Sequence, residues 1–239
     1  MTNQNLSLED LLATIGDPIS DQESIVPAMF NQLNIFLIDI STKMLEKYQN
    51  GNPPYRDIYY AFSEYLESLF NFRQKKSYSL SVLCFAKEPY IALDLTNLQD
   101  KQGTIPMTFL PSSVESITLD SPVSLGESNL VPALNLASEF ALEYNQAPPQ
   151  PGLPTYISVV ILSMGELIDA VEVKDIVDKI KSYKNFQVYF GYFGSISPEN
   201  LSSLESLTTD ELTIVPLTDL KSIVSFFKKT STDNYKFRL

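Results

Sequence analysis

The sequence predicts a doubly wound α/β domain, a mostly parallel sheet with helices on both faces. Three observations carry that expectation. Apolar strand-like runs alternate with amphipathic helical stretches over most of the chain, the rhythm produced when parallel strands are joined by crossover helices. Two of those runs, LNIFLID at 33–39 and YISVVILSM at 156–164, show little or no polar alternation, as a strand covered on both faces requires. The chain has 239 residues and is 44% hydrophobic, enough for one sizeable core and hardly for two.

Taken in order, residues 1–32 read as an N-terminal arm and residues 33–239 as the domain. The arm holds one short amphipathic helix, SLEDLLATIG, with Ser7 as its N-cap and Gly16 as its stop, before the polar loop GDPISDQES. After the 33–39 strand come a helical turn at TKMLEKYQ, a break at NGNPP and a longer helix at 55–70. Ile58, Phe62, Tyr65, Leu66 and Leu69 recur there at helical spacing, which marks a core-facing stripe. YSLSVLCFA and PYIALDL are two strands joined by a tight AKEP turn. Residues 98–122 are irregular, with room for a short strand or two. GESNLVPALNLASEFALEYN opens on small polar residues and continues as an amphipathic helix through Leu130, Leu134, Ala137, Ala141 and Leu142, which NQAPPQPGLP ends. The rest repeats strand and helix: YISVVILSM, VEVKDIVDKIKSY, FQVYFGYFG, SPENLSSLESL, ELTIVPL and LTDLKSIVSFFKKTS.

Composition narrows function. Lys and Arg total 17 against 29 Asp and Glu, a net charge of -12, which repels a phosphate backbone and an anionic membrane. Neither nucleic acid nor membrane is expected as a partner. The apolar runs fall far short of the roughly 20 residues that span a bilayer, and the start MTNQNLSLEDLL lacks the basic and apolar regions of a secretory signal. A cytoplasmic protein is expected. The single cysteine, Cys84, lies within an apolar run and reads as a buried structural thiol. With no histidine at all, triad hydrolases and most zinc sites are unavailable, and no enzyme is expected.

Polar residues gather where such a sheet binds ligands, at the carboxyl ends of strands beside the reversal of strand order. DISTK (39–43), LGESN (125–129) and SMGE (163–166) have the right character to meet there. In the first, Asp39, Ser41 and Lys43 alternate; a carboxylate and a hydroxyl begin an oxygen-rich site, and the third place holds an amine. Two placements of Lys43 follow: paired with Asp39 in place of a cation, or turned to solvent from the first helical turn, with Asp39 capping that helix.

Over residues 34–230 the chain resembles the von Willebrand factor A family, especially its compact bacterial branch related to the TerY proteins of tellurium-resistance systems. That family carries a metal-ion-dependent adhesion site, written Asp-x-Ser-x-Ser after the first strand, with a threonine in a glycine-rich loop and an aspartate in a Thr-Asp-Gly turn. Asp39 and Ser41 match the first two positions, and Ser128 keeps the threonine's hydroxyl. Lys43 stands at the second serine and Met164 at the aspartate, with Gly165 and Glu166 following. The resemblance implies metal ligands at Asp39, Ser41 and Ser128, but magnesium requires hard oxygen donors, and a thioether is a poor one. No metal cofactor is therefore expected, and any Mg2+ or Mn2+ binding should be weak. Glu127 or Glu166 would have to replace the missing carboxylate, against the plainer role of exposed loop charge.

The implied function is a non-enzymatic interaction module, an adaptor or scaffold in a bacterial or phage stress-response or defence setting, binding another protein through Asp39, Ser41, Lys43, Ser128 and Met164. Met164 would offer an exposed apolar contact. An alternative is a structural subunit of a larger assembly, docked through the N-terminal helix. A third, less favoured, is a phosphoryl-transfer enzyme of the haloacid dehalogenase type with Asp39 as nucleophile; that chemistry wants a second aspartate where Ser41 stands.

Overall fold

Strand β1 (Asn31–Asp39) is buried at every position, as a strand covered on both faces is. The computed structural model describes residues 28–48, 51–71, 75–98, 105–110, 126–164, 170–182, 185–207 and 213–236. The strand starts ahead of Leu33 because Asn31 is tied down: its side chain donates to the Gln150 carbonyl and accepts from the Gln150 amide, both at 2.9 Å. Gln32 and Asn34 are also buried. The Gln32 side chain donates to Asn34 Oδ1 at 3.1 Å, and Asn34 donates to the Tyr65 hydroxyl at 2.9 Å, so both amide nitrogens are paired as burial demands, while Gln32 Oε1 is buried without a hydrogen-bond partner among the described residues.

A helical turn, α1 (Thr42–Leu45), and helix α2 (Pro54–Phe70) follow; Pro54 opens α2, where a missing N–H costs nothing. Strands β2 (Tyr78–Phe85) and β3 (Pro89–Asn97) form an antiparallel pair. Then come α3 (Leu130–Gln146), β4 (Thr155–Ser163), α4 (Ala170–Lys181), β5 (Phe186–Phe193), α5 (Pro198–Leu207), β6 (Ile214–Leu217) and α6 (Leu220–Lys236). The sheet order is β3-β2-β1-β4-β5-β6, parallel except for the edge strand β3. This is the doubly wound architecture that the sequence predicts. Of the sequence-read elements, the 7–16 helix and most of 98–122 lie outside the described residues; within the latter, 107–109 form a single 3-10 turn.

Alternation along the central strands feeds two cores. On one face Phe36 and Ile38 of β1, Val160 and Leu162 of β4 and Tyr189 of β5 meet Ile58, Phe62 and Tyr65 of α2 and Phe226 and Phe227 of α6. On the other, Leu33, Ile35 and Leu37 meet Leu134, Ala137 and Ala141 of α3 and Val173 and Val177 of α4. Phe36 anchors the first face, edge-on to Phe62 at 4.9 Å and to Phe227 at 5.5 Å between ring centroids; each such pair adds about 0.5–1.5 kcal/mol beyond area burial. Gly191 in β5 allows close packing with β6 and α6, since a Cβ there would lie 2.6 Å from Leu217 Cδ1 and 3.0 Å from Phe226 Cε1. Among the described residues, no helix is long and apolar enough to cross a membrane.

Candidate functional site

Connectivity places the site. The chain leaves β1 for β2 on one side and returns to β4 on the other, so the strand order reverses between β1 and β4, where an open α/β sheet leaves a crevice at its carboxyl edge. The parallel register pairs Ile38 with Leu162, which brings Asp39 and Ser163 side by side. The Ser163 hydroxyl donates to Asp39 Oδ2 at 2.7 Å, and the Ser41 amide donates to Asp39 Oδ1 at 2.7 Å.

The third segment, 126–129, is stitched to both neighbours. The Thr42 amide donates to the Gly126 carbonyl at 3.4 Å, and the Asn129 amide donates to the Ala86 carbonyl at 2.8 Å. Asn129 then caps α3, its side chain accepting from the Val131 amide at 3.3 Å. Ser128 is thereby held against Asp39. Burial pushes the Asp39 carboxyl above the usual carboxylate range; the hydrogen bonds from Ser163, from the Ser41 amide, and from the Ser41 and Ser128 hydroxyls pull it partway back.

All five positions singled out in the sequence, Asp39, Ser41, Lys43, Ser128 and Met164, line one open cavity of about 640 Å3, with Thr42, Glu46, Gly126, Glu127 and Ser163. Their roles differ from the simplest expectations. Asp39 meets serines and backbone, and Lys43 is not among its partners; α1 buries Met44 and Leu45, which turns Lys43 to the exposed side of the cavity wall. Nor does Asp39 cap that helical turn beyond the amide of Ser41, its N-cap residue. Met164 is half-buried rather than exposed, packed on the aromatic core with its methyl over Gly194, where a Cβ would lie 3.4 Å away. Residues 165–169, with Gly165 and Glu166, lie outside the described residues.

Ser163 lies in the SMGE segment that the sequence places at the site, but the motif comparison gives it no role. A sequence signal for it is present: two largely apolar runs, each ending on a polar residue at the same edge, place Asp39 and Ser163 as neighbours once β1 and β4 are adjacent.

The donors fit a divalent cation poorly. Of the three carboxylates on the lining, Glu46 and Glu127 are exposed, and Asp39, the one at the floor, already accepts hydrogen bonds on both oxygens, beside serine hydroxyls, an ammonium and a thioether. Magnesium and manganese want several hard oxygen donors. Among the described residues, no group of three or more His, Cys, Asp or Glu is placed to hold a metal.

The crevice, strand order and helical layers define a class of protein: a doubly wound α/β domain with an open cavity at the carboxyl edge of its sheet. Comparison with solved structures makes the class more particular. Proximal thread matrix protein 1 from the mussel byssus matches with a TM-score of 0.56 at 14% identity, over 84% of this chain and 47% of that one. The pilus adhesin SpaC of Lactobacillus rhamnosus GG, in its open conformation, matches at 0.60 and 11%, over 87% and 30%. A von Willebrand factor type A protein from Catenulispora acidiphila matches at 0.54 and 13%, over 86% and 43%. The fold is that of a von Willebrand factor type A domain, and the chain spans less than half of each of these three proteins. Another structure of the mussel protein has a zinc-occupied MIDAS motif, the metal-ion-dependent adhesion site. No family model matches the sequence, and no curated protein matches it by sequence.

Proposed function

We propose that the domain is a non-enzymatic protein-interaction module that seats part of a partner protein in the cavity at the β1 and β4 strand ends, without a bound metal. One observation carries the reading: residues from three separate loops converge on an open cavity of about 640 Å3, whose donors suit hydrogen bonding better than divalent-cation coordination. That a pilus adhesin and a byssal matrix protein share the fold supports a binding role. The finer form of the proposal is an adaptor or scaffold in a bacterial or phage stress-response or defence system, which the TerY resemblance supports.

The test is capture on the immobilised full chain, with and without a chelator, beside Ser128→Trp, which fills the cavity, and the double variant Lys43→Ser with Met164→Asp, which restores the metal-site residues. A partner retained through chelation and lost with Ser128→Trp is expected. Capture that requires magnesium and vanishes in Asp39→Ala would overturn the metal-free reading. Phosphatase activity abolished by Asp39→Asn would make the chain an enzyme.

A further inference from the structure

We infer that the group seated in this cavity is a basic side chain of the partner, a lysine ammonium or an arginine guanidinium. The inference rests on the proposed reading of the cavity as the partner site and adds the chemistry of the guest.

The argument starts at the floor. Asp39 is fully buried, and the groups that meet it are serine hydroxyls and one backbone amide. None of these carries a positive charge. A buried carboxylate without a counter-charge is costly, and a cation brought to it gains more than it would at an exposed acid. The remaining walls point the same way. Glu46 and Glu127 are exposed carboxylates on the lining, against Lys43 as the cation there among the described residues. An acidic guest would meet three carboxylates for one amine. A basic guest would meet the reverse balance, and the chain's net charge of -12 steers it inward.

The neutral groups suit the same guest. Hydroxyls of Ser41, Ser128 and Ser163 can accept N–H bonds, and an ammonium or guanidinium needs no octahedral array of oxygens. Met164 gives the wall an apolar portion against which the methylene stem of a lysine or arginine can lie. About 640 Å3 accommodates a whole arginine side chain. The site thus exchanges a metal that would recruit an acid for a carboxylate that recruits a base.

The test uses the full chain labelled with 13C at methionine methyls, following the Met164 resonance during titration with methylguanidinium, butylammonium, acetate or magnesium chloride. Saturable shifts with the two organic cations and none with acetate are expected. Asp39→Asn, close in shape and still able to hydrogen-bond, should weaken them at least about tenfold; Glu46→Gln with Glu127→Gln, both at exposed positions, should weaken them independently of any effect on the floor. Saturation by acetate without methylguanidinium, equal methylguanidinium binding in Asp39→Asn, or magnesium binding that excludes methylguanidinium would each overturn the inference. Its failure separates from that of the parent reading. A captured partner released by Ser128→Trp but not by methylguanidinium refutes the basic guest alone, whereas capture indifferent to Ser128→Trp refutes the cavity as the partner site.

Discussion

Replacing Ser163 with alanine tests the central contact of the site. The Ser163 hydroxyl lies 2.7 Å from Asp39 Oδ2, and the two residues are 4% and 0% exposed, so water does not readily replace the lost donor. A hydrogen bond to a charged group is worth about 1.5–3 kcal/mol net. For a domain of this size, 1 kcal/mol moves the melting temperature by roughly 2–4 °C, so Ser163→Ala should lower it by about 3–12 °C when Asp39 is charged. Losing this donor also raises the Asp39 carboxyl further above its ordinary value of 3.8. In acid, where Asp39 is protonated folded and unfolded, the variant forfeits only a neutral hydrogen bond. The deficit must therefore grow with pH. Thermal melts followed by circular dichroism at about pH 2.5 and about pH 8 check this, with the same substitution repeated in Asp39→Asn. A shift under about 1 °C at both pH values, or one undiminished in the Asp39→Asn background, would refute the charge-assisted contact.

Further expectations follow from the same geometry. Because the folded Asp39 carboxyl is raised by burial, its contribution to stability is fully present below pH 3.8 and is lost as pH rises through the folded value; Asp39→Asn should remove that loss and melt no lower than wild type near neutrality, and a large drop there would contradict it. Cys84 is fully buried, and burial pushes its thiol up to about 12, so iodoacetamide should label it only as fast as the domain opens; rapid stoichiometric labelling of folded protein would count against this packing. Gly191→Ala should cost about 1–3 kcal/mol by forcing Leu217 and Phe226 apart, read from urea unfolding, and an unchanged midpoint would mean that β6 yields freely.

The strand and helix order of the described domain was legible because the central strands are largely apolar and the helices carry one-sided stripes. Even the edge position of β3 is written in PYIALDL, where Asp94 interrupts the apolar residues and the strand is only partly buried. The site was half legible. Alternate polar positions placed Asp39 and Ser41, and the small residues before α3 placed Ser128. The direction of Lys43 was hidden because it depends on which side of α1 Met44 and Leu45 bury. The signal for Ser163 is conditional, because its role arises only once β4 lies beside β1, a pairing between residues 124 positions apart. Met164 read as a missing ligand, and the fold gives it a packing partner, Gly194, that no local pattern reveals.

The polar chain from Gln32 through Asn34 to Tyr65 has a consequence for how the domain can vary. Aromatic packing between α2 and β1 is forgiving, since a ring shifted by a turn still finds other rings. A single amide-to-hydroxyl bond is not, because slippage would strand both groups out of reach of water. It acts as a key that admits one phase of α2 on the sheet, much as a lone buried asparagine sets register in paired helices. Asn34 and Tyr65 are consequently bound to change as a pair, and a helix transplanted into this position without its tyrosine would dock without a unique address.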